Sequence, residues 1–143
     1  AVMLVKRKAF DDIGGFDPDY FFFFEETDLA LRLRLAGWRV MHEPSAKCVH
    51  LQGRSASAHA SAARIEFYRS RYIFFEKFYG SKARRFLKTV IMLNLSINFV
   101  TYGAMNLVTL GLSEKLHNKF EIWKALSFWH MAGCPNSVGL PRD

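Results

Sequence analysis

A chain of 143 residues, half of them hydrophobic and 15% aromatic, is the size of one domain and long enough to bury a core, which excludes a disordered tail. Its formal charge of +7 is concentrated: residues 1–63 hold eight basic and eight acidic side chains, whereas 64–88 hold eight basic against two acidic. Two cysteines, Cys48 and Cys134, with no CxxC or Cys/His metal spacing, argue against a disulfide framework or a zinc ribbon and fit a reducing, cytosolic setting.

The opening AVMLVKRKAF carries no initiator Met, no charged leader region and no cleavage pattern, so the chain is expected to start inside a domain. AVMLV reads as a buried strand, and RKAFDDIGG as a short helix closed by Gly14 or Gly15. Asp17 and Pro18 then begin a turn. EETDLALRLRLAG has leucines at 29, 31, 33 and 35, an alternation compatible with a strand. Its Ala, Leu, Arg and Glu content favours a helix, and Gly37 stands where a closing glycine belongs.

WRVMHEPSAKCVHLQG reads as two short strands broken at Glu43-Pro44-Ser45, and RSASAHASAA as a small polar linker. From Arg64 the pattern is helical: RIEFYRSRYIFFEKFYG, a long segment from Lys82 to Leu112, and SEKLHNKFEIWKALSFWHMAG capped by Ser113. Phe67, Phe74 and Phe78 share one face of the first of these, with Glu66, Arg69, Glu76 and Lys77 opposite. That helix is either packed on a core or, with its Arg, Lys and Tyr content, suited to anionic headgroups or a lipid-linked diphosphate. Residues 89–112 carry no charge and reach the length of a membrane span, but Asn94, Asn98, Thr101 and Thr109 lie on one stripe. A helix lying on the membrane therefore fits better than one crossing it.

The stretch FFFFEETD sets Glu25, Glu26 and Asp28 directly after four phenylalanines. Acids in a first helical turn are favoured by the helix dipole, and Asp28 is placed to pair with Arg32. A carboxylate pressed against phenylalanines is also partly desolvated, which makes it a better general base near neutral pH. His50, at the end of AKCVH, is open to the same two readings: a half-buried structural side chain or a metal ligand.

Taken together, GGFDPDYFFFFEETDLALRLRLAGWRV and the later VHLQGRS resemble the family 2 glycosyltransferases, particularly bacterial rhamnosyltransferase-like members that build cell-surface polysaccharides. The resemblance runs from Ala1 to about Ser55. It implies an α/β protein with a GT-A fold, of which residues 1–57 would be the acceptor side of the catalytic domain. Residues 58–82 would then be a linker and basic aromatic helix, and 83–143 a hydrophobic, membrane-associated helical tail.

The same resemblance implies roles. Glu25 would position a substrate, Glu26 would deprotonate the acceptor hydroxyl, and Asp28 would support or share that task. Glu26 stands where the family usually has Asp, which shifts the carboxylate by about a bond length, a scale on which catalytic geometry matters. Gly14, Gly15, Phe16 and Asp17 would form the turn into the site, Phe24 its apolar wall, and Arg32, Trp38, Arg54 and Ser55 further substrate contacts. His50 would ligate a divalent metal, Mg²⁺ or Mn²⁺, whose other ligands lie outside this chain. The letters of the family's DxD motif occur only at Asp17–Asp19, in a turn too late in the sequence, so the nucleotide-binding half is expected to be missing and the piece alone inactive.

The implied partners are a nucleotide-sugar donor, a lipid-linked saccharide acceptor and the cytoplasmic face of the bacterial inner membrane. A non-catalytic membrane-binding or assembly module is the alternative. Nucleic acid is not expected as a partner, because outside the basic segment the charges balance and no binding motif is present.

Overall fold

Apolar, β-branched residues make a strand only when a neighbouring backbone takes up their N–H and C=O groups. In the computed structural model, which describes residues 2–49 and 59–141, stretches 2–5 and 38–49 find no such neighbour among the described residues. Leu4 and Val49, expected inside a sheet, are almost fully exposed. The α/β expectation and its GT-A sheet are thus overturned: among the described residues there are helices and irregular connections, and no strand. The helices are α1 (Arg7–Asp12), α2 (Glu25–Leu35), α3 (Ala60–Val108) and α4 (Glu114–Met131). Residues 50–58, where the sequence sets the end of its first region and where His50, Arg54 and Ser55 lie, are outside the described residues.

Helices α1 and α2 close around a small cluster in which Ala9, Leu29 and Leu33 are buried and Val5, Phe10, Ile13 and Trp38 pack against them. Both end as their glycines suggest. The Gly14 and Gly15 amides bond back to Asp11 and Phe10, and those of Gly37 and Trp38 to Arg34 and Leu33.

The expected linker becomes helix at Ala60, and Ala63 is buried. Helix α3 is then broken at Gly80, whose φ of 80° and ψ of 171° lie outside the range an L-residue adopts without strain. Its two arms, 60–79 and 81–108, meet there at an elbow filled by α4. Leu126 and Trp129 lie among Ile65 and Tyr72 of the first arm and Ile91 and Leu95 of the second. Further along, Phe99 packs on Phe120 with ring centres 5.5 Å apart, and Gly103 lets the Phe120 ring approach closely. Ser113 occupies the cap position of α4 but makes no side-chain capping bond.

Polar groups also fasten this unit. Glu66 and Arg69, on the face opposite the aromatics, are buried as an ion pair, not solvated. Arg69 donates to the carbonyls of Pro135 and Val138 and so ties the last described turn to α3.

His130 donates from Nδ1 to the Leu126 carbonyl (2.8 Å), and its Nε2 lies 2.7 Å from the Tyr72 hydroxyl, which donates to it when the ring is neutral. Burial lowers its pKa below the ordinary 6.5, with a small contribution from the Lys88 charge, against the raising effect of the Leu126 bond. The unfolded chain then takes up a proton near pH 6.5 that the folded chain refuses, so stability is full above that pH and declines as pH falls through it. Thermal unfolding followed from about pH 7.5 down to 5.5 is expected to show a falling Tm. His130→Gln, which removes the titrating ring, is expected to flatten that slope.

Candidate active site

Phe23 and Phe24 both take left-handed backbone conformations, with φ of 65° and 66°, a strained arrangement for two consecutive phenylalanines. Tertiary contacts hold it. The Ser70 hydroxyl donates to the Phe22 carbonyl at 2.7 Å, the rings of Phe23 and Phe24 pack on Phe67, and Phe24 also meets Phe74. Three of the four phenylalanines are therefore the grip of the turn on the first arm of α3. Helix α2 begins directly after the turn, at Glu25.

The three acids end in different environments. Asp28 is fully buried: its Oδ2 accepts Arg32 Nε at 2.6 Å and its Oδ1 accepts the Lys77 ammonium at 2.6 Å. Glu26 is exposed. Glu25 is half-buried, with its Oε2 shielded from solvent and without a hydrogen-bond partner among the described residues.

Arg32 also donates from both terminal nitrogens to the glycine turn, reaching the Ile13 carbonyl at 2.8 Å and the Gly15 carbonyl at 2.7 Å. Asp17 caps its own turn by accepting the Asp19 amide and also accepts Lys77 at 2.5 Å. Lys77 thus stands between Asp17 and Asp28. Burial works against its ammonium, but the bonds to the two carboxylates outweigh it and raise its pKa above the ordinary value. For Asp17, burial raises the pKa, and the Lys77 and Asp19 bonds more than reverse this. The Tyr20 hydroxyl, buried beside Asp28 and Asp17, has its pKa pushed up first by that burial and then by their charge.

The structure brings Gly14, Gly15, Asp17, Phe24, Glu25, Glu26, Asp28 and Arg32 into one neighbourhood. Phe16 and Trp38 sit beside it in a different role. Phe16 is about half exposed and edges onto Phe10 at 5.6 Å, while Trp38 closes the small core. His50, Arg54 and Ser55 lie outside the described residues.

Gly15 has φ of 75°, and a β-carbon there would meet the Phe10 ring at 3.0 Å. Gly15→Ala is expected to cost about 1–2 kcal/mol from the left-handed backbone alone. An unchanged denaturation midpoint would remove this account of the turn.

No family model matches the chain, and no solved structure does. Curated proteins do. An N-acetylglucosaminyl-diphospho-decaprenol L-rhamnosyltransferase of Mycobacterium tuberculosis is 39% identical over 72 residues, 50% of this chain and 24% of that protein. Rhamnosyltransferase WbbL of Escherichia coli is 44% identical over 48 residues, 34% of this chain and 18% of that protein. Over these stretches the chain is similar to rhamnosyltransferases. It spans about a quarter of the length of the first of them.

The likeness to rhamnosyltransferases brings a metal into question: among the described residues no three His, Cys, Asp or Glu side chains converge, and His50, the expected ligand, lies outside them. Asp17 and Asp28 do converge, but on the Lys77 ammonium. Sequence reasoning missed Lys77, Tyr20 and Ser70. Lys77 lies 49 residues from Asp28 and 60 from Asp17, beyond any local pattern, and its one signal is a lysine within an otherwise aromatic stretch.

Proposed function

We propose that this chain is part of a glycosyltransferase of cell-surface glycan synthesis, moving a sugar from a nucleotide-sugar donor to a lipid-linked saccharide at the cytoplasmic membrane face. The division of labour among the three acids carries the reading. Asp28 is committed to Lys77 and Arg32 and holds the turn, which leaves Glu26 in the open as general base. Glu25, with a shielded and unpartnered carboxylate oxygen, is suited to accept a hydrogen bond from a substrate hydroxyl. The partial likeness to rhamnosyltransferases supports the reaction class, and the name of the mycobacterial relative supports a polyprenyl-diphosphate acceptor.

In this reading the acceptor hydroxyl loses its proton to Glu26 as its oxygen attacks the anomeric carbon of the donor, and the nucleoside diphosphate leaves. Mg²⁺ or Mn²⁺ ligated in part by His50 belongs to the proposal through the resemblance alone. Transfer that is unchanged in His50→Ala and in the presence of a chelator would remove it.

The test is transfer from a panel of nucleotide sugars to a polyprenyl-diphosphate-linked saccharide by the enzyme that carries this chain, with and without Glu26→Gln. Transfer lost in the variant supports the reading. Transfer unaffected by Glu26→Gln, or none from any donor, favours a membrane-binding module, for which the exposed apolar side of α3 is the specific observation.

A further inference from the structure

The second arm of α3 has two opposite faces. One, with Leu87, Ile91 and Leu95, packs toward α4. The other runs Phe86, Val90, Leu93, Ile97, Val100 and Leu107, at the three- and four-residue spacings of one helical stripe, and each of these is between 47% and 75% exposed. The stripe ends in a connection where Leu110 and Leu112 are also exposed. So large an unpartnered apolar surface marks an interaction site.

Charge and polarity indicate what covers it. Exposed Lys82 and Arg85 stand at the elbow end, and no charge follows from 89 to 112. Cations beside an uncharged apolar stripe suit a helix lying at the boundary between anionic headgroups and acyl chains. Four of the polar side chains inside the segment bond to its own helix: Thr89, Ser96, Asn98 and Thr109 each donate to the carbonyl four residues earlier, while the Asn106 Oδ1 is buried without a partner among the described residues. Such back-bonding lowers the penalty for contact with lipid.

The other half of the hairpin decides against crossing. Helix α4 carries Glu114, Lys115 and Lys119 exposed next to the tip, followed by Glu121 and Lys124. A hairpin passing through the bilayer would drag these charges into hydrocarbon, which opposes charged side chains strongly.

We propose that α3 and α4 form an in-plane membrane hairpin. The Phe86 to Leu107 stripe is sunk into the acyl boundary of an anionic bilayer, Lys82 and Arg85 lie at its headgroups, and α4 stays on the aqueous side. This rests on the membrane-surface part of the reading above and fixes its geometry.

The test uses the whole chain with vesicles of phosphatidylcholine alone or with phosphatidylglycerol. Flotation is expected only with the anionic lipid, weakened roughly tenfold or more by the Lys82→Glu/Arg85→Glu double variant. In a background of Cys48→Ser and Cys134→Ser, a membrane-impermeant maleimide is expected to lose access to Ile97→Cys on vesicle binding while still labelling Lys119→Cys. Circular dichroism confirms that each variant folds.

Protection of both positions would mean a spanning hairpin, and labelling of both on floated vesicles would mean headgroup contact only. Absence of flotation together with a concentration-dependent dimer would mean that a second copy covers the stripe. Each of these overturns the proposal. Flotation needs no sugar transfer, so a failure here is distinguishable from a failure of the catalytic reading.

Discussion

Asp28→Asn is expected to destabilise the chain by about 3 kcal/mol, the scale of removing one partner from a buried ion pair. For a chain of this size that corresponds to a fall in Tm of roughly 10 °C. An asparagine fits the space, but it presents an N–H₂ group to either Arg32 or Lys77, and both of those are donors only. Three things then loosen together: the register of α2, the Arg32 contacts to the Ile13 and Gly15 carbonyls, and the anchorage of the turn on α3. Lys77→Met is expected to cost less, because Lys77 is a third exposed while Asp28 keeps Arg32. The double variant is expected to be less harmful than the sum of the two singles, as for any pair in direct contact. Strict additivity in thermal melts would show that the two side chains do not meet in solution.

Glu26→Gln is expected to act in the opposite sense, leaving stability within about 0.5 kcal/mol of the parent, as surface substitutions generally do. It should nevertheless lower transfer by about a hundredfold or more, the contribution of a positioned general base. The split follows from exposure: Glu26 faces solvent, whereas Asp28 has none. Glu26→Asp separates the two roles further. A turnover that rises in the aspartate variant would show that the longer side chain holds its carboxylate off the best position. A loss confined to Asp28→Asn, with Glu26→Gln fully active, would move the base assignment away from Glu26.

The parts of this fold that were readable in the sequence are those fixed by neighbours along the chain. Helix α2 follows from strong helix formers over eleven residues and from a glycine at 37, despite alternating leucines. The elbow follows from Gly80, and the turn at Asp17 from a side chain that caps its own backbone. The unreadable parts depend on distant partners. Stretches 2–5 and 38–49 have the composition of strands, but composition supplies no second backbone to pair with, and among the described residues they form no strand. In the same way FFFFEETD announced desolvated charge without saying which acid would receive it. The answer was Asp28, the acid that helix periodicity turns inward toward Arg32 and that a lysine 49 residues away could reach.

Because Lys77 and the exposed apolar stripe belong to one helix, α3 would work as a ruler between them. Nine residues separate Lys77 from Phe86, which at about 1.5 Å per residue is at most ~14 Å of travel along the axis, less whatever the bend at Gly80 removes. If the stripe lies in the acyl boundary as proposed, the acidic turn would be held within that distance of the bilayer rather than left to wander on a tether. A saccharide whose diphosphate is fixed at the headgroups would have its hydroxyls presented within that span, and chain length, as much as pocket shape, would select which sugar along the acceptor is reached.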